Sequence, residues 1–162
     1  MQAPTGPLND LEEKRGNQMY EQILAAVDDS PERESVLDHA AALAKAGGGT
    51  VHVLHVQTID ASALGGGVVE EDTDVVRTLV QKSIKYVAGQ GVNADGELRE
   101  AVRPEIARTV LEAAKDKSAD LIVLGMRRAG GLSGLVLGSV ADGVAHGLPH
   151  APVLLIPDHV ER

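Results

Sequence analysis

Leu121-Ile122-Val123-Leu124-Gly125-Met126-Arg127-Arg128-Ala129-Gly130-Gly131-Leu132-Ser133-Gly134-Leu135-Val136-Leu137-Gly138-Ser139 is the stretch that decides the fold. Its first four residues are aliphatic and end at a glycine, which suits a short strand buried on both faces. A glycine-rich connection follows. Then Ser139 to His146 reads as a short helix, with Gly147-Leu148-Pro149 as its stop signal. A buried strand, a loop at its carboxyl end and a helix together make half of a parallel βαβ unit.

The same alternation runs along the rest of the chain. A first strand is expected from about Tyr20 to Val27 and ends at Asp28-Asp29-Ser30-Pro31. Ser30 is the expected N-cap there and Pro31 the first helical residue. The helix that follows places Val36, Leu37, Ala40, Ala41 and Ala44 on one face and stops at Gly47-Gly48-Gly49. Val51 to Val56 is a second strand. A loop containing Gly65-Gly66-Gly67 separates it from a helix whose apolar positions are Val75, Val76, Leu79, Val80, Ile84, Val87 and Ala88. Glu70, Glu71 and Asp72 precede that helix, where its dipole favours acids. Asn93 to Val102 is more polar and suits an edge strand. Pro104 opens a helix that carries Ile106, Ala107, Val110, Leu111 and Ala114 inward, and Val153 to Ile156 is the last strand.

Five strands and four helices in alternation predict a single-domain α/β fold, an open parallel five-stranded sheet covered by helices on both faces. Ligands of such sheets sit beyond the carboxyl ends of the strands, where strand order reverses. The loops after the first and fourth strands are therefore expected to converge on the site.

Composition narrows the function classes. The 162 residues include no cysteine, no Phe or Trp and two Tyr, so the core is aliphatic and neither disulfides nor thiolate chemistry are available. A formal charge of −9 argues against a nucleic-acid partner, since phosphate backbones need a basic face. No apolar run reaches the ~20 residues of a membrane span. Residues 1–18 are polar, without a hydrophobic signal core, and are expected to be a flexible tail. The domain is expected at 19–158, with 159–162 a second tail, and a cytoplasmic location is expected.

The concentrated feature is the loop after the fourth strand. Its glycines allow the backbone to approach a ligand closely, and Gly138-Ser139 stands where free helix amides favour an anion. Arg127 and Arg128 add positive charge in an acidic chain. No Gly-Lys-Ser/Thr closes the loop, so it is not a Walker loop, and a dinucleotide fingerprint would have to follow the first strand. A glycine-rich stretch can also be no more than a mobile connection.

Other candidates have plainer readings. His52 and His55, three apart on one strand, face opposite sides of the sheet and cannot share a metal, so each is expected to be packed or capped. His146 suits a helix C-terminus, next to the stop signal that His150 follows. Glu97, Glu100 and Glu105 lack a nucleophile and read as a solvated face.

Taken in order, Ala25-Ala26-Val27-Asp28-Asp29-Ser30, His55-Val56, Gly125 to Gly138-Ser139-Val140 and Ala151-Pro152-Val153-Leu154-Leu155-Ile156-Pro157 resemble the universal stress protein family across about Tyr20 to Pro157. The resemblance implies an adenine-nucleotide alpha hydrolase-like, Rossmann-like sheet and an ATP site of the pattern Gly-x2-Gly-x9-Gly-Ser/Thr. Carried over by position, Asp28 contacts the adenosine moiety beside Ala26 and Val27, and the backbone of Val56 reads the adenine edge. Leu124 and Gly125 line the ribose and phosphate entrance. Gly138, Ser139 and Val140 hold phosphates, with Arg127, Arg128 and Gly130 in the same loop, and Mg or Mn accompanies the phosphates.

One position departs: Arg128 stands where the family pattern has its second glycine. A guanidinium there either fills phosphate space or binds phosphate with paired hydrogen bonds. The resemblance thus implies a regulatory stress-response protein that binds ATP or a related adenine nucleotide. A non-nucleotide dimerisation or interaction module of the same fold is the second reading. A slow ATP hydrolase is the third, although the Ser-Gly-Gly loop and His-x-Gly-His signature of adenylate-forming α/β enzymes are missing. A homodimer joined through Val153, Leu154, Leu155 and Ile156 is expected because an apolar edge strand is usually paired or covered.

Overall fold

A computed structural model describes residues 19–60, 68–69, 72–126 and 138–157. Five parallel strands form its sheet in the order β4-β2-β1-β5-β6: β1 (Gln22–Ala26), β2 (Thr50–Asp60), β4 (Asn93–Ala101), β5 (Leu121–Met126) and β6 (Val153–Pro157). Four helices connect them: α1 (Arg33–Gly47), α2 (Thr73–Ala88), α3 (Ile106–Asp116) and α4 (Ser139–His146). A two-residue strand, β3 (Val68–Val69), adds to the end of β2 in antiparallel fashion. Two residues are too few to carry a periodic signal, so this strand has no mark in the sequence.

Aliphatic residues on both faces of the strands explain the layering. Ile23, Ala25, Val51, Val53, Leu121 and Val123 pack with α1 and α2 on one face. Leu24, Leu54, Ile122 and Leu124 pack with α3 and α4 on the other. Each Leu or Ile removed from water in this way contributes roughly 1.5–3 kcal/mol.

The expected inner face of α1, Val36, Leu37, Ala40, Ala41 and Ala44, is buried as read. Its start differs. Glu32, not Ser30, is the N-cap residue and makes no side-chain cap. Ser30 instead accepts the Arg33 amide through its carbonyl at 3.2 Å, so Pro31 belongs to a turn that precedes the helix. On α2 the buried arc is Val76, Leu79, Val80, Ser83 and Val87. Val75 and Ala88 are exposed. At about 100° per residue they sit on opposite flanks of that arc, and the small Ser83 lies nearer its centre than either.

β4 is the edge of the parallel sheet next to β2, in agreement with its polarity. β5 lies inside the sheet, although β1 holds the middle. Strand order reverses between β1 and β5, because the chain first winds towards β2 and β4 and then returns through α3. The carboxyl ends of β1 and β5 therefore part at the switch point.

Candidate functional site: a cavity at the strand ends

A cavity of about 610 Å³ opens at that switch point. It falls within the ~300–1,000 Å³ typical of small-molecule sites. Its floor is apolar, made from Ala26, Val27, Leu54, Val56 and Leu124. Around the rim stand the approach to α1 (Ser30, Glu32, Arg33), the turn before α3 (Arg103, Pro104) and the first residues of α4 (Ser139, Val140, Ala141). Three helix N-termini thus border one hollow.

The turn carrying Asp28 is held from the β2 side. The amide of Val27 donates to the Leu54 carbonyl at 2.9 Å, extending the β1–β2 ladder by one residue. The buried ring of His55 meets the Val27 carbonyl through Nδ1 at 2.8 Å. A carbonyl only accepts, so Nδ1 carries the proton. Asp28, the next residue, is half-buried on the cavity wall.

At the other end, Gly138 is the N-cap of α4, with extended backbone (φ −58°, ψ 153°) and no side-chain cap. The first amides of an α-helix have no intrahelical acceptor. Here they stand beside the Ser139 hydroxyl at the cavity edge, an arrangement that suits an anion. Gly143 sets where this helix lies. A Cβ at that position would come within 2.6 Å of Ala107 Cβ, so α3 and α4 approach more closely than an alanine would allow.

Nine residues singled out from the sequence therefore line one cavity: Ala26, Val27, Asp28, Val56, Leu124, Gly125, Gly138, Ser139 and Val140. Arg127, Arg128 and Gly130 lie outside the described residues. Sequence reasoning missed His55, Thr58, Arg33, Arg103 and Ile106, which also line it. For His55 a signal existed, since a histidine beside Val56 at a strand's carboxyl end must point towards one face or the other. For Arg103 and Arg33 none existed, because helix starts meet at a cavity only through the winding of the sheet.

A second hollow of about 230 Å³ lies at the opposite, amino-terminal end of the strands, lined by Thr50, His52, Asp95 and Lys117 among others. His52 Nδ1 is 2.5 Å from Asp95 Oδ1, and Glu97 bonds Arg99 at 2.7 Å, which places both acids in a structural network. Among the described residues no group of three or more His, Cys, Asp or Glu side chains is disposed to hold a metal ion. None of the described helices is long and apolar enough to cross a membrane.

Residues 19–157 match the Universal stress protein family. Universal stress protein YxiE of Bacillus subtilis is 32% identical over 151 residues, covering 85% of this chain and 99% of its own length. Universal stress protein MJ0531 of Methanocaldococcus jannaschii is 30% identical over 151 residues, covering 88% and 85%. The solved structure of the universal stress protein from Archaeoglobus fulgidus in complex with dAMP superposes with a TM-score of 0.64 at 27% identity, covering 85% of this chain and 98% of that one. The family match spans almost the whole described chain, and relatives at 30% identity or more cover most of it: this chain belongs to the universal stress protein family.

Proposed function

We propose that the chain binds ATP or a related adenine nucleotide in the cavity at the ends of β1, β2 and β5, and that binding serves a regulatory, stress-response role in the cytoplasm. The observation that carries this reading is that Asp28, Val56, Gly125 and the start of α4 all line one hollow of about 610 Å³. The relative in complex with dAMP supports it.

In this reading the adenine lies on the apolar floor by Ala26 and Val27, its edge read by the Val56 backbone, with Asp28 accepting from the adenosine moiety. Leu124 and Gly125 line the ribose and phosphate entrance. Gly138, Ser139 and Val140 supply backbone and hydroxyl donors to phosphate. Arg127, Arg128 and Gly130 are proposed to join them from the loop. A Mg or Mn ion is held chiefly by the phosphates, as is usual for hard cations at such sites.

Calorimetric titration with Mg-ATP tests the proposal. Heat of binding with a rise in melting temperature supports it, and neither at millimolar ligand rejects it. The Arg128→Gly variant separates the two roles of that arginine: improved affinity means obstruction, and weakened affinity means a phosphate contact.

A second reading concerns assembly. β6 pairs with β5 on one side, and its Val153, Leu154 and Leu155 are only half-buried. We propose a homodimer across this edge, which covers those side chains. Sedimentation at micromolar concentration as a monomer rejects it.

A further inference from the structure

The first turn of α1 lies against the carboxyl end of β5. A Cβ built at Gly125 would stand 3.5 Å from Glu32 Cβ and 3.8 Å from Val36 Cγ2. Residues four apart share a helix face, so Glu32 leaves α1 on the side of the buried Val36, one turn nearer the strand ends. There it is half-buried on the cavity wall, beside the β5 end where the nucleotide reading places the phosphates.

The helix does not use this carboxylate. The Glu32 carbonyl accepts the Val36 amide at 2.9 Å, but the side chain caps no amide. Neither arginine of the described wall neutralises it. Arg33 is bonded to Asp29 at 2.8 Å. Arg103 has a partner of its own and stands in the turn past β4, three strand positions from β5. At the β5 end the cavity is lined by Leu124, Gly125, Gly138, Ser139 and Val140, none of them charged. Among the described residues, the charge at this end is therefore negative.

A free polyphosphate entering there meets a charge of its own sign, in a partly enclosed hollow where water screens it less. A divalent cation on the phosphates reverses that contact, because hard cations take carboxylate oxygens directly or through water. The residues fit such an ion: a carboxylate not used by the helix stands beside a glycine that leaves the wall open. We propose that Glu32 makes the cavity select the cation-complexed nucleotide over the free one. This rests on the nucleotide reading above and adds to it the charge state of the ligand.

Calorimetry of the wild-type chain and of Glu32→Gln, each with adenosine, with ATP in EDTA and with Mg-ATP, tests the assignment. The wild type is expected to bind Mg-ATP about tenfold or more tighter than ATP in EDTA. In Glu32→Gln, ATP in EDTA is expected to gain several-fold and Mg-ATP to gain nothing, so the gap narrows to about threefold or less. Adenosine carries no phosphate and is expected to bind both proteins alike. Melting temperatures without ligand verify folding, and Glu32→Ala serves if the glutamine variant does not fold. An unchanged gap overturns the inference, as does equal weakening of both forms of ATP or a changed affinity for adenosine. A wild type that binds ATP equally with and without the cation overturns the role of Glu32 alone. A wild type that binds none of the three probes overturns this inference and the nucleotide reading together.

Discussion

The Nδ1–H of His55 donates to the Val27 carbonyl at 2.8 Å, with both residues buried, and so ties the end of β1 to β2 one residue before Asp28. Replacing the ring by a methyl leaves that carbonyl without its donor and opens a void. His55→Ala is expected to cost roughly 2–4 kcal/mol in urea denaturation. Mg-ATP affinity should fall as well, because Asp28 loses its fixed position. Unchanged stability would mean that the Val27 carbonyl finds another donor.

Gly143 and Ala107 make the analogous arrangement at the other end of the cavity. Gly143→Ala gains about 1 kcal/mol of helix propensity but forces a contact that overpacking usually makes about 1–3 kcal/mol unfavourable. The melting temperature is expected to fall, and ATP affinity with it, since α4 carries Ser139. Adding Ala107→Gly returns a methyl's worth of space, and the double variant should recover part of both losses. A single variant as stable as wild type would show that α4 shifts freely.

At Gly125 the outcome should differ. An added Cβ would lie 3.5 Å from Glu32 Cβ and 3.8 Å from Val36 Cγ2, which is ordinary van der Waals contact. Gly125→Ala is thus expected to melt within a few degrees of wild type. Its methyl narrows the cavity, and a loss of about tenfold in Mg-ATP affinity, ~1.4 kcal/mol, is expected by calorimetry. Equal affinity would move the ligand away from β5.

Far from the cavity, the Tyr86 hydroxyl donates to Asp38 Oδ1 at 2.9 Å and joins α2 to α1. That hydrogen bond, with burial and the negative charge of Asp38 adding to it, holds the phenol above its ordinary pKa of 10.0. The protonated phenol is the form that donates, so its contribution to stability is complete below about pH 10 and is lost as pH rises through the raised value. Tyr86→Phe is expected to cost no more than about 1 kcal/mol near neutral pH, given the exposure of the pair. The gap between the two proteins should close above pH 10 in denaturant titrations. A gap independent of pH would assign the effect to packing.

Much of this molecule was legible before any coordinates. The buried arc of α1, the edge position of β4 and the length of α4 from Ser139 to His146 agree with the sequence reading, because each depends on local period or on burial of one face. Where reading failed, the competing influence was geometric. Ser30 lost the capping role to a turn in which its carbonyl, not its hydroxyl, is used. Val75, counted among the apolar positions of α2 by the helical period, lies on the flank of the buried arc and is turned to solvent.

The site divides in the same way. A glycine-rich connection and a helix start are chemical signals, so Gly125 and Ser139 stand out from their neighbours in the chain, whereas Asp28 and Val56 are marked only by the resemblance to the universal stress protein family. Arg103 and Arg33 could not be named at all, because nothing local distinguishes an arginine on a cavity rim from one in open solvent. The alternation of aliphatic runs with helical periods determined the parallel sheet by itself, since each strand must be covered on both faces. Only the tertiary structure decided which side chains meet, because the order β4-β2-β1-β5-β6 brings together strand ends about a hundred residues apart, a distance across which no local pattern carries information.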